Sequence, residues 1–121
     1  MWKKTILIVE DEALIAEGLQ ARLSVEGYEI RVAEDGQAAV EQVRKHPPDL
    51  VLLDIMLPKI NGWEVCKLIR GDPKTEKIPI IMLTSLTQIK DSEKAFEAGA
   101  NDYLTKPFET GRLLEKIRKF L

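Results

Sequence analysis

Residues 52–58 read LLDIMLP, a stretch in which one acid, Asp54, ends an apolar run and is followed at once by further apolar residues. Two similar apolar runs occur at residues 5–9 (TILIV) and 78–84 (IPIIMLT). Continuously apolar runs of this length are typical of strands that are covered on both faces of a parallel sheet. We therefore place Asp54 at the carboxyl end of a buried strand that spans residues 49–54.

The segments between these runs have the spacing of amphipathic helices. Their apolar positions recur at intervals of three and four residues, as at Ile15, Leu19 and Leu23 in the first segment and Leu113, Leu114, Ile117 and Leu121 in the last. Gly27 and Gly99 follow helical segments, where a left-handed cap is expected, and Asp35 and Asn61 are predicted N-caps. Strands that alternate with helices predict βαβ units, so the 121 residues are expected to form one α/β domain with a parallel sheet.

The two remaining strands have the character of sheet edges. Residues 28–33 (YEIRVA) alternate apolar and charged side chains, and residues 101–105 (NDYLT) form only a short run. With right-handed crossovers, edge positions for these two strands predict the order 2-1-3-4-5. Ligands of open α/β sheets bind at the carboxyl ends of the strands where the winding reverses, which here means strands 1 and 3. The sequence therefore predicts that Glu10, Asp11 and Asp54 share one crevice.

Three carboxylates in one crevice repel one another, and at least one of their pKa values rises unless a cation compensates them. A hard divalent cation such as Mg²⁺, which takes oxygen ligands, is the simplest compensation. The later strand ends add a hydroxyl group, Thr84, and an ammonium group, Lys106. Acids, a hydroxyl and a lysine that converge on one crevice form a site for phosphoryl chemistry, with Asp54 as the nucleophile that becomes an aspartyl phosphate.

The composition argues against several classes of partner. The 18 basic and 20 acidic residues leave a net charge of −2, which gives no electrostatic footprint for nucleic acid or for an anionic membrane. No apolar run reaches the length of a signal-peptide core or of the roughly 20 residues that span a bilayer, so we expect a cytoplasmic protein. The single cysteine, Cys66, is expected to be buried in a helix, and His46 is expected at a solvated helix end.

Four segments carry a resemblance to a known family: ILIVEDE (6–12), LVLLDIMLPKINGWEV (50–65), IPIIMLTS (78–85) and GANDYLTKPF (99–108). In this order they resemble the acid-pair, phosphorylation-site, hydroxyl and lysine motifs of the receiver domain of bacterial two-component response regulators. The resemblance covers essentially the whole chain, residues 1–121. It implies a flavodoxin-like (βα)5 fold, which is a doubly wound three-layer sandwich, and a phosphoacceptor signalling function rather than that of a turnover enzyme.

The resemblance also implies roles for individual residues of the acidic crevice. Asp54 is expected to accept the phosphoryl group from a sensor histidine kinase or a histidine phosphotransfer protein. Asp11, Asp54 and the backbone carbonyl of Met56 are expected to bind Mg²⁺. Glu10 completes the acid pair, often through water, although the family more commonly has two aspartates there. Met56 and Leu86 are apolar and cannot orient an attacking water, so we expect a long-lived phosphoryl-aspartate.

A second set of implied roles concerns a conformational switch. Thr84 is expected to bond a phosphoryl oxygen, Lys106 to pair with the phosphate, and Tyr103 to turn inward when Thr84 moves. The Lys106–Pro107 peptide bond is expected to be cis. The fourth helix, the fifth strand and the fifth helix form the family's output face, through which a homodimer is an open alternative. The charged residues of this face are Lys90, Asp91, Glu93, Lys94, Asp102, Lys116 and Lys119.

Three other interpretations stay open on the residues alone. A haloacid-dehalogenase-like phosphatase uses a similar set of groups but needs a second Asp two residues after the nucleophile, where this chain has Met56. A nucleotide- or flavin-binding module of similar shape needs a glycine-rich loop after the first strand, where this chain has acids. A pseudo-receiver would use the fold only as a scaffold. The sequence ends at Leu121, which leaves open whether it is a single-domain regulator or part of a longer protein.

Overall fold

The computed structural model describes residues 3–84 and 96–121. Within these ranges the chain forms five strands and four helices. In chain order they are β1 Thr5–Val9, α1 Ala13–Val25, β2 Glu29–Ala33, α2 Gly36–Lys45, β3 Leu50–Asp54, α3 Gly62–Arg70, β4 Ile80–Thr84, β5 Asp102–Thr105 and the C-terminal helix Thr110–Phe120. The predictions made for Leu86, Lys90, Asp91, Glu93 and Lys94 lie outside the described residues.

All five strands pair in parallel in the order β2-β1-β3-β4-β5, which confirms the predicted topology. The central strands β1, β3 and β4 are buried along their whole length, whereas β2 is mostly exposed or half-buried. The register pairs Val9 of β1 with Leu53 of β3. The next residues in the sequence, Glu10 and Asp54, therefore lie side by side at the carboxyl ends of the two strands.

Helices cover both faces of the sheet and complete a three-layer sandwich. On one face, α2 and α3 contribute Val40 and Ile69 to a buried cluster. On the other face, α1 and the C-terminal helix contribute Leu23, Leu113 and Ile117 to a second cluster. Truncating a buried side chain of this kind to alanine typically costs about 2–5 kcal/mol. The apolar stripes predicted from the sequence are thus the surfaces that fix the helices on the sheet.

The predicted helix ends are also confirmed. The side chain of Asp35 accepts a hydrogen bond from the backbone N–H of Ala38 at 2.8 Å, and Asn61 caps α3 in the same way at 3.0 Å. Gly27 and Gly99 have φ values of 94° and 103°, in the left-handed region that favours glycine. The two N-caps fix the starts of α2 and α3, and the two glycines lie in the turns that lead into β2 and β5.

Cys66 and His46 have the structural positions expected of them. Cys66 is fully buried, its thiol lies 3.3 Å from the carbonyl oxygen of Ala98, and burial raises its pKa to about 11. A thiol with so high a pKa is a poor nucleophile, so Cys66 is a packing residue. His46 is exposed at the end of α2, and its backbone carbonyl accepts a hydrogen bond from Arg31.

Arg70, at the end of α3, makes a set of contacts that the sequence did not reveal. Its guanidinium donates hydrogen bonds to the carbonyl oxygens of Gly99 at 2.7 Å, Glu76 at 2.9 Å and Ile78 at 2.7 Å, and to the side-chain oxygen of Asn101 at 2.7 Å. These acceptors lie in the segments that lead into β4 and β5. Arg70 therefore links α3 to the amino ends of β4 and β5, which lie at the end of the sheet opposite the three acids.

Candidate functional site

The sheet brings the three predicted acids together. Glu10 follows β1, Asp54 ends β3, and Asp11 begins the connection to α1. One carboxylate oxygen from each lies within 4.8 Å of those of the other two. Glu10 and Asp54 are buried, with 1% and 5% of their surface exposed, whereas Asp11 is exposed. The cluster therefore consists of two buried acids and a third acid that is exposed to solvent.

Lys106 reaches this cluster from the end of β5. Its Nζ lies 2.7 Å from Oε1 of Glu10 and 3.1 Å from Oδ2 of Asp54. Its backbone N–H donates to the carbonyl oxygen of Thr84 at 2.5 Å, and the Lys106–Pro107 peptide bond is cis, as expected. The lysine thus bridges the two buried acids, a contact with Glu10 that sequence reasoning did not foresee.

Burial and crowding shift the ionisation of this cluster. Burial, followed by the hydrogen bond with Asp54, raises the pKa of Glu10 from 4.5 to about 7, although Lys106 acts in the opposite direction. Burial alone would lower the pKa of Lys106, but its hydrogen bond to Glu10 and the charge of Asp54 outweigh burial and raise it. The sequence predicted a raised pKa for an unspecified member of the set, and Glu10 is an acid with such a pKa.

The loop after β3 holds Asp54 from its other side. The backbone N–H of Met56 donates to Oδ1 of Asp54 at 3.1 Å, while Lys106 occupies the second oxygen, Oδ2. The Met56 side chain is 66% exposed. A Cβ built on Gly62 would collide with the carbonyl oxygen of Asp54 and lie 2.7 Å from Cα of Ile55. Glycine at the start of α3 therefore lets this helix lie against the end of β3, which the sequence analysis missed.

Thr84 and Tyr103 lie on the neighbouring strands. Thr84 ends β4, is 2% exposed, and pairs in register with Thr105 of β5. Tyr103, also on β5, is half-buried and packs against the cluster beneath α2 and α3. Its ring meets that of Phe96 edge-on, with the ring centres 6.0 Å apart and the planes at 84°. A contact of this geometry is typically favourable by about 0.5–1.5 kcal/mol, so it influences where the Tyr103 ring lies.

The donor atoms of the acidic cluster suit a hard divalent cation. Mg²⁺ takes oxygen ligands at about 2.0–2.1 Å, so ligands on opposite sides of the ion are roughly 4.2 Å apart. The oxygens of Glu10, Asp11 and Asp54 already lie within 4.8 Å of one another. In the part of the chain that the structure describes, one lysine contacts the cluster of three carboxylates, which leaves negative charge that a cation would balance. The residues present therefore fit magnesium.

Comparison with known proteins gives the family. Residues 6–118 match the model of the response regulator receiver domain. The chain is 43% identical to the DNA-binding dual master transcriptional regulator RpaA of Synechocystis over 96% of its own length. It spans about half of that regulator, 48% of its length.

Solved structures agree with this match. A putative response regulator from Chloroflexus aurantiacus is 42% identical, has a TM-score of 0.95, and is matched over 98% of each chain. The receiver domain of the Pseudomonas aeruginosa sensor histidine kinase PA1611, solved with a magnesium ion coordinated in its active site cleft, is 32% identical with a TM-score of 0.91 over 98% of each chain. This chain therefore belongs to the response regulator receiver domain family.

It is accordingly a phosphoacceptor signalling domain of the two-component type, and its acidic cluster fits the phosphorylation site of such a domain. The family match favours this interpretation over the phosphatase and the nucleotide-binding module considered from the sequence. In the described part of the chain, every helix is too short or too polar to span a bilayer.

Proposed function

We propose that Asp54 takes a phosphoryl group from a phosphohistidine of a sensor histidine kinase or a histidine phosphotransfer protein, with Mg²⁺ bound beside it. One observation carries this proposal. The Asp54 carboxylate lies among the carboxylates of Glu10 and Asp11, all within 4.8 Å, and 3.1 Å from the ammonium group of Lys106. An acid with both a cation site and a fixed ammonium at its side suits attack on a phosphoryl group.

The transfer requires a free carboxylate oxygen and a neutralised phosphoryl group. An oxygen of Asp54 forms the new O–P bond as the N–P bond to the donor imidazole breaks, and the imidazole keeps the electron pair and takes a proton. Lys106 supplies positive charge to the equatorial phosphoryl oxygens, for which it gives up its contact with Oδ2 of Asp54. The Met56 N–H holds Oδ1 and so orients the carboxylate.

The metal ligands in this proposal are Asp11, Asp54 and the backbone carbonyl of Met56, with Glu10 completing the set, often through water. When bound, Mg²⁺ supplies positive charge that stabilises the phosphoryl oxygens during transfer. The burial of Glu10 supports its indirect place, because Lys106 already holds its Oε1 at 2.7 Å. The magnesium ion in the related PA1611 receiver supports the choice of metal.

The proposed readout of phosphorylation is a movement of Thr84 and Tyr103. The Thr84 hydroxyl would bond a phosphoryl oxygen, and Tyr103 on the adjacent strand would turn inward into the space this opens. Burial of Thr84 at the strand end and half-burial of Tyr103 support this assignment. The domain stores a signal in this way and does not turn over a substrate, and a cytoplasmic location goes with that role.

The output face is proposed as the contact with a downstream partner or a second copy of the chain. Of its charged residues, Asp102, Lys116 and Lys119 belong to the described part. Lys116 Nζ lies 2.9 Å from Oδ2 of Asp102, so these two charges are paired within one domain. An effector segment in a longer protein is a further partner, as RpaA is named for DNA binding and is about twice the length of this chain.

The test is adduct formation on the purified chain. With Mg²⁺ and phosphoramidate, intact-mass measurement should find one phosphoryl group per chain, lost in Asp54→Asn and on removal of Mg²⁺ with a chelator. Glu41→Gln, which neutralises an exposed acid of α2, is the matched control and should still be phosphorylated. An undiminished adduct in Asp54→Asn contradicts the assignment. Multiple turnover of a phosphate ester would favour a phosphatase, and no adduct in the wild type would favour a scaffold.

A further inference from the structure

The loop between β3 and α3, residues 55–61, carries the proposed metal ligand of Met56. Its two ends are closed onto each other, because the N–H of Gly62 donates to the carbonyl oxygen of Ile55 at 2.9 Å. The N–H of Ile55 also donates to the carbonyl oxygen of Leu83 in β4 at 3.1 Å. These bonds fix the base of the loop. Within its outer half, residues 58–61, Asn61 is held by its cap on α3, and Pro58, Lys59 and Ile60 lie beyond these bonds.

The first turn of α2 lies against that outer half. A Cβ built on Gly36 would collide with the carbonyl oxygen of Ile60 and lie 2.9 Å from both its carbonyl carbon and its Cβ. Real Cβ atoms essentially never come so close to a backbone atom. Gly36 has no left-handed φ that would explain a glycine, since the positive-φ glycines are Gly27 and Gly99 in the described residues. The close approach of the loop therefore accounts for glycine at this position.

A charge pair accompanies the steric contact. Asp35, the N-cap of α2, also lies 3.4 Å from Nζ of Lys59 in the loop. Lys59 has a φ of 67°, which is costly for a side chain without a local hydrogen bond. Its side chain is 62% exposed, and ion pairs this exposed contribute little to stability. The ion pair by itself is therefore a weak constraint on the position of the loop.

We propose that the first turn of α2 is a positioning element of the metal site, with Gly36 setting the place of the loop that carries the Met56 carbonyl through its contact with Ile60. Gly36 is a positioning residue, since it lies in α2, whereas every proposed ligand lies at the end of a strand or in a loop. The inference rests on the proposed function, because it assigns Gly36 to the Mg²⁺ site described there.

The effect of Gly36→Ala on stability and on Mg²⁺ affinity distinguishes a role in positioning the metal site from a purely helical role. Alanine favours helix formation more than glycine does, so a glycine with only a helical role should tolerate this change or gain stability from it. If Gly36 positions the loop, the added methyl group displaces Ile60 and, through the loop backbone, shifts the carbonyl of Met56. Residues that orient metal ligands typically change metal affinity by roughly 10–100-fold when they are mutated. We expect Mg²⁺ binding by Gly36→Ala to weaken about tenfold or more.

The experiment is calorimetric titration of the full chain with MgCl₂, alongside circular dichroism to establish folding. Gly18→Ala and Gly111→Ala are matched controls, because a Cβ at either position meets nothing within 4 Å. Both controls should bind Mg²⁺ within twofold of the wild type. A folded Gly36→Ala protein with wild-type Mg²⁺ affinity would overturn the inference.

A paired variant covers the case in which Gly36→Ala does not fold. Ile60→Gly removes the Cβ that Gly36 faces and lets the loop backbone, whose carbonyl oxygen the added methyl group meets first, move aside, so the double variant should fold. We expect the double variant to bind Mg²⁺ several-fold more weakly than Ile60→Gly alone, and equal affinities would reject the inference. Failure of the wild type itself to bind Mg²⁺ would reject the proposed function instead, so the two failures are distinguishable.

Discussion

Lys106 Nζ lies 2.7 Å from Oε1 of Glu10 and 3.1 Å from Oδ2 of Asp54, so a single cation joins the two buried acids of the site. Among the described residues, this ammonium group compensates their charge in the metal-free domain. A bound metal ion would take over part of that task. The same lysine thus holds the site together without metal and competes with metal for the acids.

Lys106→Met separates these two effects. Removing a positive charge a few ångströms from the acids should strengthen Mg²⁺ binding by at least about tenfold, because charges at this distance interact by up to about 4 kcal/mol at an effective dielectric constant near 20. Phosphoryl transfer should slow, since the phosphoryl oxygens lose their ammonium partner. Calorimetry and phosphorylation rates measured at saturating Mg²⁺ check the two directions. Lys119→Met is the control, and weaker Mg²⁺ binding by Lys106→Met would contradict the competition.

Glu10 should make the stability of the metal-free domain depend on pH. Its pKa is 4.5 when unperturbed and about 7 in the folded chain, so the folded state binds its proton more tightly. The stabilisation is complete below pH 4.5 and is lost as the pH rises through 7. Glu10→Gln should therefore match the wild type near pH 4.5 and exceed it near pH 7.5, by on the order of 2 kcal/mol.

Urea unfolding of both proteins in a chelator, at several pH values, checks this prediction. The quantity to compare is the difference in unfolding free energy between variant and wild type, since carboxylates outside the cluster contribute equally to both. A difference that stays constant between pH 4.5 and 7.5 would show that Glu10 does not carry the effect.

Met56→Asn should shorten the life of the phosphorylated domain. The Met56 side chain is apolar and 66% exposed beside Asp54, so it cannot orient a water molecule for attack on phosphorus. An amide in its place can, and we expect several-fold faster loss of the phosphoryl group. The decay of the purified phosphoprotein is the measurement. Val25→Asn changes another exposed apolar residue, at the end of α1, and should leave the decay unaltered. Equal decay of Met56→Asn and the wild type rejects the idea.

Arg70→Lys should destabilise the fold without affecting the site. Lysine cannot reproduce the forked set of hydrogen bonds that Arg70 makes, and each bond contributes about 0.5–1.5 kcal/mol. We expect the unfolding free energy to fall by about 2 kcal/mol and Mg²⁺ affinity to stay within twofold. Arg44→Lys, at an exposed position 3.9 Å from Asp72, is the control and should be nearly neutral. Loss of Mg²⁺ binding in Arg70→Lys would contradict this separation.

Local pattern and topology were enough to predict the strands, their order and the meeting of the acids. A parallel sheet of known order puts the carboxyl ends of its strands at one edge, so Glu10, Asp11 and Asp54 follow from their places after two apolar runs. The identity of the chain as a receiver domain also followed from the sequence. Roles assigned to individual site residues stay predictions until phosphorylation is measured.

Other features depend on contacts between residues that are far apart in the sequence, and no local sequence pattern reveals such contacts. Arg70 and its acceptor Gly99 are 29 residues apart, and Gly36 meets a loop that follows the next strand. A glycine after an N-cap and an arginine at a helix end have the same sequence pattern whether or not such contacts exist. Only the packed arrangement of α2 and α3 distinguishes these cases.

Arg70 has a consequence for how the domain transmits a signal. All four of its acceptors are neutral oxygens, three from the backbone and one from an amide side chain, so neither salt nor acid weakens the clamp directly. The amino ends of β4 and β5 are thereby held in place. A movement that begins at the carboxyl ends of these strands, where Asp54 would be phosphorylated, can then shift the surface residues nearby without separating the strands of the sheet.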